Sequence, residues 1–355
     1  MPKLIFNTKC KIKDYKNTTI FKLKRLYKKK NYNFKNEECK IIKLAFDFDI
    51  EKNLINYIYL IKNNIVFLHY DLNKNSYEKI YIQINFNFRF FSFLKKNYDL
   101  VTYTNNLNLV FFSGYNNGKI KYFDKITNQF NFISNRFKKN IIFTSLCLIK
   151  LYSNDYIICG NNEGKILLNK IYIKNDKREI YFRLIKEKII DSNHISKIKF
   201  NHNLNIILTY SENKIIQFFT WNKLDCLNII YLKNYNISIL KYINLISNPF
   251  PCVLLNFDDV IINFTINGKK IFEINDKKFE DILIYREKNY IDYILYLELN
   301  ENKLIIKKNN IFFDKEKIIY NVSNNINNII YLYVLENNEN VLLINQNNFI
   351  FLTSY

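Results

Sequence analysis

Short apolar runs separated by polar turns recur along the whole chain. In "LVFFSGYNNGKIKYFD", residues 109 to 124, Leu109 to Phe112 lead into Asn116-Asn117-Gly118, and Ile120, Tyr122 and Phe123 lead out. Asn-Gly between β-forming residues predicts a tight hairpin, because the turn demands positive φ. The segment "CGNNEGKILLNK" (159 to 170) repeats the pattern, with Gly160 and Gly164 in the places of Gly114 and Gly118. In "TYSENKIIQFFT" (209 to 220) Tyr210 and Lys214 hold the glycine places, and "LNFDDVIINFTI" (255 to 266) repeats the shape again. Upstream, "LIKNNIVFLHYD" (60 to 71) fits the same frame, and residues 298 to 308 and 343 to 355 are weaker copies. Seven near-evenly spaced hairpins predict an all-β fold, a single seven-bladed β-propeller over 1–355.

A further apolar stretch precedes five of the hairpins: "IIKLAFDF" (41 to 48), "FRFFSFLK" (88 to 95), "FTSLCLIK" (143 to 150), "ISKIKFNH" (195 to 202) and "ISILKYIN" (237 to 244). Each adds a strand, and the linkers supply the fourth. Closure of the ring requires an early segment within the basic 1–40 region, such as "PKLIFNT" or "TIFKLKR", to pair with the last hairpin. A pair of β-sandwiches is the rival architecture, which the regular spacing disfavours.

Four of the five glycines lie in the two best hairpins, so glycine persists where backbone geometry demands it. Hydrophobic residues make up 48% of the chain and aromatics 17%, enough apolar side chain for a large core and far from a disordered composition. The net charge of +21 favours an acidic partner such as RNA, although the Lys, Asn, Ile, Tyr and Phe bias of an AT-rich coding sequence yields a lysine-coated surface without any such partner. The six cysteines are scattered, with no C-x-x-C and no histidine at ligand spacing, and read as thiols of a reducing compartment. The absence of a signal-like opening or a long apolar run predicts a cytosolic or nuclear chain without integral membrane association.

The hairpin unit resembles a degenerate WD repeat: a small residue, glycine, a polar turn, then Ile-x-x-aromatic and often Asp. In residues 194 to 219, His194 stands in the place of the family's histidine, Ser211 in that of its serine, Glu212 close to its aspartate and Phe219 in that of its tryptophan. The resemblance implies a hydrogen-bonded set that pins the blade; a loop histidine facing solvent is the alternative for His194. Trp221, two residues past the tryptophan place, reads as packing. From residue 41 to about residue 290 the order of features is similar to the nucleolar WD repeat-containing protein 55 family, which implies a role in ribosomal RNA processing and large-subunit assembly. A second resemblance, carried by the Ser-Gly-Tyr turn and the "INGK" strand end, is to the WD-repeat segment of BEACH-domain trafficking proteins; it implies a membrane-traffic scaffold instead.

Catalytic patterns are weak. Asp258 and Asp259 are neighbours and so point to opposite faces of a strand, and no G-x-S-x-G accompanies the three histidines. "GYNNGKI" and "GNNEGKI" fall one residue short of a phosphate loop, with isoleucine where Ser/Thr is required. The basic run of Lys22, Lys24, Arg25, Lys28, Lys29 and Lys30 suits a nuclear import signal or phosphate contacts, or else a solvated arm. The expectation is therefore a non-catalytic scaffold without cofactor, metal or small-molecule substrate. The resemblance to the nucleolar family further implies protein partners in a larger complex, contact with pre-ribosomal RNA and residence in the nucleolus, with the cytoplasm as the alternative. An enzyme built on a propeller is the least favoured reading.

Overall fold

The computed structural model describes the backbone of twenty-eight strands between Thr19 and Leu352, and side chains chiefly over 109–112, 120–133 and 141–275, with scattered positions as far as 318. All described secondary structure is β. The first strand, β1 (Thr19–Lys22), is followed by a four-stranded sheet of β2 (Ile41–Asp49), β3 (Leu54–Ile61), β4 (Asn64–Asp71) and β5 (Ser76–Gln83). The second sheet holds β6 (Val101–Thr104), β7 (Leu109–Phe112), β8 (Lys121–Asp124) and β9 (Gln129–Phe132). The third holds β10 (Phe143–Leu151), β11 (Asn154–Asn161), β12 (Lys165–Lys174) and β13 (Glu179–Ile189). The fourth comprises β14 (Ile195–Asn201), β15 (Ile206–Ser211), β16 (Ile215–Thr220) and β17 (Cys226–Tyr231). The fifth comprises β18 (Leu240–Ile246), β19 (Cys252–Phe257), β20 (Val260–Thr265) and β21 (Lys270–Asn275). A sixth sheet contains β22 (Phe279–Arg286), β23 (Asp292–Asn300), β24 (Lys303–Asn309) and β25 (Lys317–Val322). The last contains β26 (Ile329–Leu335), β27 (Asn340–Asn345) and β28 (Asn348–Leu352), with β1 paired antiparallel on β28 from Thr19 opposite Phe351 to Lys22 opposite Asn348.

Every other sheet is a simple antiparallel meander, as short connections require. First strands of successive sheets lie side by side from β2 through β26, so they form the inner layer and the fourth strands the rim. In the second sheet the inner strand is Val101–Thr104, C-terminal to the more apolar 88–95 segment, which lies outside the described residues.

Between the second and third sheets Phe111 meets Phe182 with ring centroids 5.6 Å apart, within a cluster that includes Ile157 and Cys159. Ile158, Ile166 and Leu168 turn the other way, toward Ile198, Ile207 and Phe219 of the fourth sheet. Leu208, Tyr210 and Phe218 of that sheet pack on Ile243, Val253 and Leu255 of the fifth, whose Cys252, Leu254 and Ile261 pack on Ile282, Ile294 and Tyr296 of the sixth. Neighbouring residues such as Ile157 and Ile158 thus face different sheets. This explains why the middle strands are continuous apolar runs, buried throughout in β7 and β19, rather than clean alternations.

Two kinds of backbone irregularity repeat with the fold. A β-bulge falls at the second residue of the inner strand in the third to seventh sheets, where Thr144, Ser196, Lys241, Glu280 and Ile330 stand. Third and fourth strands shift register at Leu168/Asn169, Phe218/Phe219, Asn263/Phe264 and Ile306/Lys307. Side-chain hydrogen bonds tie sheet to sheet. The Thr144 hydroxyl donates to the Ile195 carbonyl at 2.7 Å, and the Asn201 amide to that of Leu245 at 2.7 Å. Asn263 donates to Ile311 at 2.9 Å, and Asp292 Oδ2 accepts from the Ser247 N–H, the Ser247 hydroxyl and the Asn248 N–H.

Candidate functional site

The turn glycines come first, because they set the hairpins that aim the rim. Gly160 lies opposite Ser145 and Ile166 in β11, and a Cβ there would fall 2.4 Å from Ser145 Oγ and 2.8 Å from Ile195 Cβ. Gly164 has φ +72°, and a Cβ on it would meet the Asp191 carbonyl oxygen at 2.1 Å. Gly114 and Gly118 lie outside the described residues, as do Asp258 and Asp259.

Of the expected pinning set, the structure brings two members together. The Glu212 N–H donates to the His194 carbonyl at 3.0 Å, and Glu212 Oε2 stands 3.6 Å from His194 Nδ1, both side chains about one-third exposed. Ser211 Oγ is buried with no hydrogen-bond partner. Phe219 pairs in register with Ile207, four residues from Ser211, and lies in the core under the Lys188 ammonium, 5.3 Å from its ring centre. Asn213 in the same turn was not singled out by sequence. Its amide donates to Asp191 Oδ1 at 2.6 Å and accepts from Asn193 at 3.3 Å, tying the turn to the loop before β14. A polar residue in a hairpin turn is too ordinary a signal to reveal that role.

Trp221 is packing, edge-on to Tyr156 at 5.6 Å. His202 sits edge-on to Phe200 at 4.8 Å, and burial with Lys150 nearby pushes its pKa down. Burial raises the Cys159 and Cys252 thiols, the latter to about 12, so both are protonated at neutral pH. Among the described residues no group of three or more His, Cys, Asp and Glu side chains is placed to hold a metal. Of the basic run, Lys22 falls in β1; Lys24, Arg25, Lys28, Lys29 and Lys30 lie outside the described residues.

The strongest surface feature is the outer rim of the third and fourth sheets. Among the described residues the large exposed apolar side chains concentrate on two edge strands: Tyr181, Leu184, Ile185 and Ile189 on β13, and Leu227, Ile229 and Tyr231 on β17. Ile189 is 68% exposed and Tyr231 61%. Lys188 links the two sheets by donating to the Leu224 carbonyl at 2.7 Å, and Asn228 of β17 reaches the Ile266 carbonyl of the fifth sheet at 2.6 Å. Beside the apolar residues, Tyr172 and Tyr181 stack across β12 and β13 with centroids 5.2 Å apart and planes 8° apart. Lys170 Nζ lies 5.2 Å from the Tyr172 ring centre, opposite Arg183 in register. Exposed apolar side chains concentrated beside charged groups on two edge strands mark a candidate interaction surface.

No protein-family model matches the chain, and no curated protein matches it in sequence. Solved structures do match in fold. One chain of a mitotic checkpoint complex superposes over 94% of this chain and 98% of its own length, with TM-score 0.56 and 10% identity. BBS1N, crystallised in complex with ARL6DN, superposes over 88% of this chain and 89% of its own, with TM-score 0.55 and 9% identity. At such identity the likeness speaks for architecture alone, and with the successive four-stranded sheets it makes the chain a β-propeller.

Proposed function

We propose that the protein is a non-catalytic, WD-repeat-like scaffold, a seven-bladed ring closed by β1, that assembles protein partners on the rim formed by β13 and β17. The observation that carries this reading is the concentration of exposed apolar side chains on those two neighbouring edge strands. Both solved neighbours belong to protein assemblies, which supports partner binding in general. Function on such a fold resides in the surface it presents rather than in the ring.

The test is affinity purification of the tagged chain from its own cells, compared with a Leu184→Asp/Ile229→Asp variant. Stoichiometric partners lost in a variant of unchanged thermal stability are the expected result; partners captured equally by both would remove the rim from the reading. The resemblance to the nucleolar family narrows the scaffold to large-subunit ribosome assembly, with residues 22 to 30 directing nuclear accumulation. Co-sedimentation with pre-ribosomal particles is the expected outcome of that narrowing. Sedimentation as free protein would remove it and leave the scaffold reading intact.

A further inference from the structure

We propose that the free edge of β13 receives an acidic, extended segment of a protein partner as a fifth strand of the third sheet, a reading that rests on the rim-scaffold function above. β13 pairs with β12 along its whole length, from Lys174 opposite Glu179 to Lys165 opposite Ile189, and closes the sheet. Among the described residues no strand pairs with its other side, so its eleven residues present a long row of backbone N–H and C=O groups there. Such an edge is a template for strand addition; its register shift at Ile185 and its cations Arg183, Lys186 and Lys188 disfavour a second basic strand and leave the edge to an acidic one.

Side chains on the two faces of this edge say what the added strand must carry. The register places Tyr181, Arg183, Lys186 and Lys188 on one face, and Ile180, Phe182, Leu184 and Glu187 on the other. On the first face Arg183 stands opposite Lys170 and Lys186 opposite Leu168, and between Tyr181 and Lys186 that face of β13 holds no carboxylate. A strand laid beside β13 meets cations there and exposed Leu184 on the reverse. Alternating acidic and apolar side chains satisfy both, with carboxylates toward Arg183 and Lys186 and aliphatic groups toward Leu184. Ile185, at the register shift opposite Leu168/Asn169, adds exposed apolar surface where the strand bends.

Protein is favoured over RNA by the same geometry. An open strand edge offers alternating N–H and C=O groups that match a polypeptide backbone and no nucleic-acid repeat. The tyrosines do not form a platform for successive bases either. Tyr172 has Lys170 over its ring and is stacked on Tyr181, so this pair offers one open tyrosine face rather than a series.

The experiment uses the full chain and a fluorescent ten-residue peptide alternating Glu and Val, read by anisotropy. Parallel samples contain the same peptide N-methylated at alternate residues, a Lys-Val peptide and oligouridine of equal length. The expected result is saturable binding of the Glu-Val peptide that weakens roughly tenfold or more with the N-methylated peptide, and by a similar factor with Arg183→Glu/Lys186→Glu protein. Equal binding of the N-methylated peptide would overturn strand addition without involving any protein variant. Tighter oligouridine binding that displaces the peptide would replace it with a polyanion surface. Cellular partners that still bind Arg183→Glu/Lys186→Glu but not Leu184→Asp/Ile229→Asp would refute this partner chemistry while leaving the scaffold reading. Glu-Val binding by a chain that captures no stoichiometric partner would do the reverse.

Discussion

The β11–β12 and β15–β16 hairpins occupy equivalent places in adjacent sheets and meet the same backbone demand with different residues. In each, a hydroxyl at the inner-strand bulge stands by the carbonyl of the first glycine place: Thr144 Oγ1 lies 3.4 Å from the Gly160 oxygen while giving its proton to Ile195, and the Ser196 hydroxyl donates to the Tyr210 carbonyl at 3.2 Å. In each, the second place has positive φ: +72° at Gly164 and +59° at Lys214. The carbonyl at that place accepts from the chain leaving the outer strand, at Ile190 in one sheet and Leu232 in the other. The difference lies in what surrounds the Cβ. Gly160 and Gly164 are pressed by Ile195 and Asp191, whereas Tyr210 fills the space between the fourth and fifth sheets. Glycine is therefore required in the third sheet by neighbours, and only favoured in the fourth by backbone angle.

This contrast can be broken by substitution. Gly164→Ala places a methyl group against a backbone oxygen that cannot rotate away and adds left-handed strain, so a loss of about 4 kcal/mol is expected in urea unfolding. Gly160→Ala, whose nearest obstacle is a side-chain hydroxyl, should cost about 2 kcal/mol, and a second substitution Ser145→Gly should recover part of it. Lys214→Gly is expected to act in the opposite direction, raising stability by about 0.5 to 1 kcal/mol as positive-φ strain is relieved. A Lys214→Gly protein less stable than the parent would show that the lysine side chain itself holds the turn.

The last test concerns Tyr210, whose phenol is pushed up to about 12 by burial from an ordinary value of 10.0. The folded state holds this proton more tightly than the unfolded chain. The resulting stability is present below pH 10 and is lost as pH rises toward 12. Tyr210→Phe should leave the unfolding midpoint near neutral pH within a small shift and flatten its decline across that alkaline window.

The hairpins were legible because a tight turn needs Asn, Gly or polar residues between β-formers, a local requirement that composition drift does not erase. Inner strands were harder to place. The inner strand Val101–Thr104 is only four residues long and half threonine, a weaker apolar signal than the strands of the third and fourth sheets carry. Fourth strands such as Cys226–Tyr231 gave little signal because they are half solvated. The rim could not be found from sequence, where Tyr181 and Tyr210 look alike; one is 45% exposed and the other 6%, a difference created by which sheet stands opposite. Asn213 and Asp191 likewise meet only because two loops of the assembled fold converge.

The pairing of β1 with β28 bears on the order in which the molecule forms. Thr19–Lys22 leaves the ribosome early, but its partner strand Asn348–Leu352 emerges only after all the other strands have been made. The sheet that holds β1 therefore cannot be completed until β28 has been made, while the sheets between them can fold as they appear. Closing so long a loop adds little to the equilibrium cost, since each doubling of its length contributes only about 0.6 kcal/mol. The consequence is kinetic: until β1 and β28 meet, β28 is an open edge on sheets otherwise already made, and that interval is when the chain is most exposed to pairing with another copy of itself.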